Sequence, residues 1–145
     1  MSIQSYKEHL RGCACRNLRM TTRVITQYFD KAFQPLGLRA AQFALLADIS
    51  SHERSTVGEL ADLLLMNQTT ATRDIEILRK KGYVDVKTAD DDSRKRCISI
   101  TESGLGKLRE AIPFWEQAQF RIEEGIGKDK YREFLNTLSD IQKLI

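Results

Sequence analysis

The sequence has few of the residues that usually carry catalysis or metal binding. Among 145 residues it contains two histidines and three cysteines, and neither a nucleophile–base signature nor a glycine-rich phosphate loop is present. We therefore expect a protein that is not an enzyme and that holds neither a metal nor a cofactor. Only two prolines occur, without internal repeats or low-complexity segments, which favours one folded domain.

Long apolar runs are also missing, which argues against a membrane-spanning segment. The polar N-terminus lacks the features of a signal peptide, so we expect a cytoplasmic protein whose cysteines do not form structural disulfides. The net charge of +3 is only mildly basic and does not by itself indicate nucleic-acid binding. What matters is where the positive charges lie.

The residues from 83 to 104 predict a β-hairpin followed by a helix. Turn formers occupy positions 90–93, and Ile98 and Ile100 alternate with Ser99, as in a half-buried strand. The segment 83–88 alternates in the same way. Arg94, Lys95 and Arg96 would place three positive charges near the hairpin tip, where they can reach a phosphate backbone.

Two short helices are predicted immediately before this hairpin. Thr56 and Glu59 fit a capping box, Asn67 suits the N-cap of the second helix, and Gly82 suits its end. A helix-turn-helix followed by a hairpin is a winged helix-turn-helix, and the second helix would read DNA. Its N-terminal turns carry the side chains that we expect to contact bases: Gln68, Thr69, Thr70, Thr72 and Arg73.

The flanking segments predict dimerisation helices. One long helix is expected from about Ser5 to Phe33, and another from Glu102 that is kinked at Pro113 and broken at 125–127. A last helix follows from about residue 129. These helices are apolar enough to need a partner, with Ile112, Trp115 and Phe120 among the expected buried positions; the alternative is that they fold back on their own domain. The predicted fold is mainly α with a small β-hairpin wing: a winged helix-turn-helix at 38–101 flanked by dimerisation helices at 5–34 and 102–145.

The chain resembles MarR-type transcriptional regulators. The similarity extends over nearly the whole chain and includes the recognition helix at 69–73 and 78–84. The wing motif of that family is present as Asp92, Arg94, Ile98, Ile100, Thr101 and Gly104. The resemblance implies a homodimer that binds an inverted-repeat operator in double-stranded DNA, with Arg94 in the minor groove and Asp92 orienting it.

The sensing chemistry stays open. Cys13 and Cys15 lie in the first predicted helix, and the chain resembles the organic hydroperoxide regulators there, with Cys15 at the position of their reactive cysteine. The tyrosines that orient that thiol are replaced by Phe29 and Ala40, so the alternative is that these cysteines are small packing residues. His9 and Cys13 would share a helix face, but two ligands are too few for zinc.

A small aromatic or apolar effector is the other option. The resemblance implies a pocket between the dimer helices and the winged domain, and Tyr28, Phe29 and Phe33 are candidate lining residues or, equally, core residues. The sequence thus predicts a repressor released from DNA by a small ligand or by cysteine oxidation. The alternative function is a winged-helix module used for protein–protein interaction without specific DNA binding.

Overall fold

The computed structural model describes residues 1–88, 91 and 94–145. Asp92, with Ala89, Asp90 and Ser93, lies outside the described residues. Within them the protein is mainly helical, with a small antiparallel sheet, as predicted. The elements are α1 (Ile3–Leu10), α2 (Ala14–Phe33), a 3-10 helix (Gln34–Leu36), α3 (Ala40–Ser50), β1 (Ser55–Thr56), α4 (Val57–Leu63), α5 (Gln68–Lys80), β2 (Val84–Thr88), β3 (Arg96–Ile100), α6 (Glu102–Ile126) and α7 (Lys128–Leu144).

The sheet has the strand order β1–β3–β2, and both pairings are antiparallel. β2 and β3 form the predicted hairpin, with Val84 opposite Ile100 and Val86 opposite Ile98. The short strand β1 was not predicted, because two residues are too few to show an alternation. Val84 and Ile98 are buried with apolar residues of α3, α4 and α5 in the main hydrophobic core.

Helix α5 begins and ends where the sequence predicts. The Asn67 side chain accepts a hydrogen bond from the backbone N–H of Thr69 at 2.8 Å, which caps the helix start. At the other end Gly82 takes a left-handed conformation, with φ of 81°, that glycine adopts at little cost. Between the two ends, Ile75 and Leu78 are buried, so one face of α5 is fixed on the core and the opposite face points outward.

The N-terminal region corrects one prediction: the expected helix from Ser5 to Phe33 is two helices, α1 and α2. The chain leaves the helical conformation at Cys13, whose ψ is 121°, directly after Gly12. Glycine weakens a helix interior, and the Asn17 side chain donates to the carbonyl oxygens of Arg11 and Cys13, which stabilises the break. His9 and Cys13 are therefore not on one continuous helix, and the shared-face argument for a metal pair does not hold.

In the C-terminal region the predicted break is present within 125–127, and the kink predicted at Pro113 does not interrupt the helix. Helix α6 runs without interruption through Pro113 and Gly125 to Ile126, and the break lies at Gly127, whose φ is 90°. The expected buried residues Ile112, Trp115 and Phe120 are 40%, 38% and 60% exposed in the single chain. None of the described helices is both long and apolar enough to cross a membrane.

Candidate nucleic-acid interface

The start of α5 presents a continuous polar surface. All five residues predicted to contact bases are exposed: Gln68, Thr69, Thr70, Thr72 and Arg73. Ala71, between them, is fully buried and anchors this end of the helix. The Thr72 hydroxyl donates to the Gln68 carbonyl at 2.8 Å, so its proton is used within the helix while its methyl group and oxygen remain at the surface.

The structure brings part of this surface together with the wing. A groove of about 640 Å³ separates the start of α5 from the hairpin. Gln68 and Thr72 form one wall, and Arg94, Lys95 and Arg96 form the other. Glu59 and its neighbours at the start of α4 complete the lining. Thr69, Thr70 and Arg73 do not line this groove, although they are exposed on the same helix end.

The hairpin register fixes the wing charges. Arg96 pairs with Thr88 at the last ladder position, two residues beyond the fully buried Ile98. Arg94 and Lys95 follow toward the tip, and all three basic side chains are exposed. Asp92 lies outside the described residues, so its predicted orienting effect on Arg94 stays a prediction.

An ion pair on α5 was missed by the sequence analysis. Arg79 donates from Nε and a terminal nitrogen to the two carboxylate oxygens of Glu76, at 2.8 and 2.6 Å. These hydrogen bonds lower the pKa of Glu76; desolvation opposes them, and the charges of Arg79, Lys80 and Arg96 lower the pKa further. The i,i+3 spacing was the available signal. The pair offsets the charge of Arg79.

The predicted sensing residues lie at the break between α1 and α2. Cys13 is partly exposed and occupies the N-cap position of α2, whereas Cys15 is exposed on its first turn. In the part of the chain that the structure describes, no three metal-binding side chains come together. Both cysteines are thus at least partly exposed to solvent.

The three predicted pocket residues have different environments. Tyr28 lines a groove between α2 and α6, and its hydroxyl donates to the Ala118 carbonyl at 3.3 Å. Phe29 is partly buried. Phe33 is fully buried and stacks on Phe43 with ring centroids 4.7 Å apart. Of the two interpretations, pocket lining or core, Phe33 is therefore a core residue in the single chain.

Comparison with known proteins agrees with this geometry. A family model described as "MarR family" matches residues 36–95, which include the helix-turn-helix and the wing up to Lys95. An HTH-type transcriptional regulator of Bacillus cereus is 31% identical over 131 residues, covering 88% of this chain and 85% of that protein. The transcriptional repressor MprA of Escherichia coli is 30% identical over 86 residues, covering 58% of this chain but only about half (49%) of MprA.

Among solved structures, the transcriptional regulator MOSR of M. tuberculosis, crystallised in complex with DNA, is 33% identical to this chain. The superposition has a TM-score of 0.78 and covers 91% of this chain and 98% of MOSR. These relatives are transcriptional regulators. On its fold, its wing and these matches, the chain belongs to the MarR family of transcriptional regulators.

Proposed function

We propose that this protein is a cytoplasmic, dimeric repressor that binds an inverted-repeat operator sequence-specifically. The observation that carries the proposal is the shared groove, in which Gln68 and Thr72 of α5 face Arg94, Lys95 and Arg96 of the wing. A base-reading helix and a basic hairpin on one surface suit a duplex, whose grooves lie beside phosphates. The similarity to MOSR, which was crystallised with DNA, and to the transcriptional repressor MprA supports the same function.

Each side chain has a distinct proposed role in this interface. Gln68 suits a bidentate contact with adenine, Arg73 suits guanine, and the methyl groups of the threonines suit thymine. Arg94 would enter the minor groove, whereas Lys95 would contact phosphates. Base contacts supply specificity and phosphate contacts supply affinity, so the two groups differ in how their loss affects binding.

Dimerisation is supported by apolar side chains that the single chain leaves exposed on its terminal helices. The exposed set comprises Ile3, Tyr6, Met20, Val24, Ile112, Trp115, Phe120, Ile126, Phe134, Leu135 and Leu144. So many exposed large apolar residues indicate a protein interface. A two-fold dimer would repeat the recognition helix in successive major grooves, about 34–36 Å apart.

DNA binding is tested by fluorescence anisotropy with a labelled duplex from upstream of the protein's own gene. Arg94→Ala should weaken binding while light scattering still detects a dimer. Lys95→Ala should weaken binding to all sequences and lower the salt slope by about 1. Arg109→Ala is the matched control, because Arg109 is exposed on α6 and does not line the groove.

Unchanged binding in Arg94→Ala would contradict the wing assignment. Absence of binding even at low salt would favour the protein-interaction module instead.

Release from DNA by oxidation is the second part of the proposal, and the accessible thiols of Cys13 and Cys15 support it. Peroxide treatment should abolish the anisotropy change of the unmodified protein but not that of Cys15→Ser. Cys97→Ser serves as the control at a partly exposed cysteine in another element, the wing strand β3. If oxidation leaves DNA binding unchanged, release must come from a small ligand.

A further inference from the structure

The segment 81–83, which we call the junction, joins the end of the recognition helix α5 to strand β2. Two of its backbone groups bond back to α5. The Gly82 N–H donates to the Arg79 carbonyl oxygen at 2.9 Å, and the Tyr83 N–H donates to the Leu78 carbonyl oxygen at 3.0 Å. These bonds close the helix end, so the junction moves together with α5, and whatever holds the junction also holds the recognition helix.

One residue at the start of α6, Thr101, bonds both carbonyl groups of the junction that follow Lys81. The Thr101 hydroxyl donates to the Gly82 carbonyl oxygen at 2.6 Å, and the Thr101 N–H donates to the Tyr83 carbonyl oxygen at 3.0 Å. The same hydroxyl oxygen accepts from the Gly104 N–H at 3.0 Å, which caps α6. A single side chain thus bonds the end of the recognition helix and the start of α6 at once.

Two longer side chains contact the junction from other directions. Lys107 of α6 places its Nζ atom 6.0 Å from the centroid of the Tyr83 ring. Lys81 donates from Nζ to the Gly37 carbonyl oxygen at 2.6 Å, directly after the 3-10 helix that follows α2. The junction is therefore in contact with α6 and with the end of the α2 segment, and both long helices expose the apolar residues of the proposed dimer interface.

Helix α6 extends from the junction into that proposed interface. It is one helix of 25 residues, which at 1.5 Å per residue is about 37 Å long. Thr101 immediately precedes its first residue, whereas Trp115, Phe120 and Ile126 are exposed apolar side chains along its second half. Because the helix is continuous, a change of angle at Thr101 displaces α5 relative to any partner that α6 binds further along.

Packing alone defines this angle less sharply than hydrogen bonds do. Ala71, Ile75 and Leu78 bury one face of α5 in the core, but hydrophobic burial is not directional. A hydrogen bond weakens steeply when its angle is distorted. The bond from Thr101 to Gly82 is therefore a contact that resists rotation of the end of α5 against α6.

We propose that Thr101 is a positioning residue, which sets the angle between the recognition helix and α6 through its hydrogen bond to Gly82. In a dimer this angle sets the separation of the two recognition helices, and hence the half-site spacing that the protein accepts. The consequence for spacing rests on the function proposed above, whereas the angle itself does not. One added base pair moves a half-site by about 3.4 Å and rotates it by about 35°, which makes spacing a sensitive measure of the angle.

Thr101→Asp separates positioning from helix capping. Aspartate is a good N-cap acceptor but has no donor for the Gly82 carbonyl oxygen, so α6 should stay capped while the bond to the junction is lost. Thr101→Ser keeps both bonds and is the rescue variant. Ser103→Asp is the matched control, because Ser103 is exposed in the first turn of α6 and the change adds the same charge. Thr101→Val, which lacks the donor without adding charge, replaces Thr101→Asp if that variant does not fold.

The angle is measured without DNA by double electron–electron resonance between spin labels at Thr70→Cys on α5 and Arg109→Cys on α6. The full chain is used, with its three own cysteines replaced by serine, and it is diluted with unlabelled chain so that distances within one chain are recorded. The distance distribution should be broader in Thr101→Asp than in the chain with Thr101, in Thr101→Ser or in Ser103→Asp. Equal widths in all four would overturn the proposal.

Spacing is tested by fluorescence anisotropy on inverted-repeat duplexes whose half-sites are moved one base pair closer or further apart. The ratio of affinities for the best and the next-best spacing should fall by about threefold or more in Thr101→Asp and stay unchanged in Ser103→Asp. Partial unfolding lowers the affinity for every duplex by the same factor, so it leaves this ratio unchanged.

An unchanged ratio in Thr101→Asp would overturn the link between the angle and operator spacing. If the unmodified protein binds none of the duplexes, the repressor function is refuted, and the spin-label distances still decide whether Thr101 positions the recognition helix.

Discussion

A single methyl group added at Gly104 should strongly destabilise this fold. Gly104 lies in the first turn of α6, where the helix crosses the backbone at the start of β2. A Cβ added there would lie 2.1 Å from the Tyr83 carbonyl oxygen and 2.8 Å from a side-chain carbon of Ile100. The first contact is with backbone, so a change of rotamer cannot relieve it.

The cost of Gly104→Ala follows from what holds that carbonyl. The Tyr83 oxygen accepts the N–H of Thr101 at 3.0 Å, and the Tyr83 N–H donates to Leu78 at 3.0 Å. Relieving the clash moves the helix away and breaks or stretches the first bond. Overpacking costs about 1–3 kcal/mol and a lost hydrogen bond about 1 kcal/mol, against a gain of about 0.5–1 kcal/mol from replacing a helical glycine. The expected net loss is about 2–3 kcal/mol.

Gly106 provides the matched control two residues later in the same helix. A Cβ at Gly106 meets nothing within 4 Å, so Gly106→Ala should raise stability by about 0.5–1 kcal/mol. Thermal unfolding followed by circular dichroism, at one protein concentration, should show Tm lowered by about 4–12 °C in Gly104→Ala and raised by about 1–4 °C in Gly106→Ala. If both variants melt at the same temperature, the close approach of α6 to Tyr83 is not what requires glycine.

Three further predictions follow from local geometry. Leu65 has φ of 52°, which costs a non-glycine residue about 1–2 kcal/mol. Leu65→Gly should therefore raise the free energy of unfolding, measured by urea titration, by about 0.5 kcal/mol. The helical control Leu63→Gly should lower it. Thr101→Val removes both side-chain hydrogen bonds of the α6 cap and should cost about 1–2 kcal/mol in the same assay. The pKa of Glu76 lies below its ordinary value of 4.5, so the contribution of Glu76 to stability is present above pH 4.5 and is lost as the pH falls through the folded-state pKa. Arg79→Gln should raise the pKa of Glu76 in a carboxyl NMR titration. An unchanged pKa would contradict the hydrogen-bonded pair.

The elements that the sequence predicts best are those whose ends carry their own chemical signals. Asn67 and Gly82 delimit α5. The Asn67 side chain accepts from a free backbone N–H group at the helix start, and Gly82 adopts the left-handed conformation that ends the helix. At the start of α6 the Thr101 side chain caps the helix in the same way, by accepting from the backbone N–H of Gly104. Such signals are local, so they are readable without knowledge of the rest of the fold.

The single long N-terminal helix was predicted wrongly because competing local signals had to be ranked. Gly12 and Gly125 both lie in segments with helical periodicity, yet the chain breaks beside Gly12 and remains helical at Gly125. The side chain of Asn17 supports the first break by bonding carbonyl groups there. At the C-terminal break Gly127, whose φ is positive, takes the role instead. Periodicity alone does not distinguish these cases, because each depends on which unpaired carbonyl groups find a donor.

The contact between Lys81 and Gly37 could not be predicted from the sequence, for another reason. The two residues are 44 residues apart in sequence, and their contact depends on how α5 packs against the end of α2. In the sequence Lys81 is a basic residue at the end of the recognition helix, where it complements the helix dipole, and this is a local role. Its long-range role needs tertiary structure.

The proposed DNA site is coupled to the hydrophobic core through the period of strand β3. Arg96 and Ile98 lie on the same face of the strand, since alternate residues point the same way. At Ile98 that face is fully buried against the core, whereas two residues further toward the tip it lines the groove beside Gln68 and Thr72. A register slip of one residue would expose Ile98 and turn Arg96 away from the recognition helix at once. The burial of Ile98 therefore sets the direction of Arg96, and the same alternation that revealed the strand in the sequence also placed its positive charge on the side of α5.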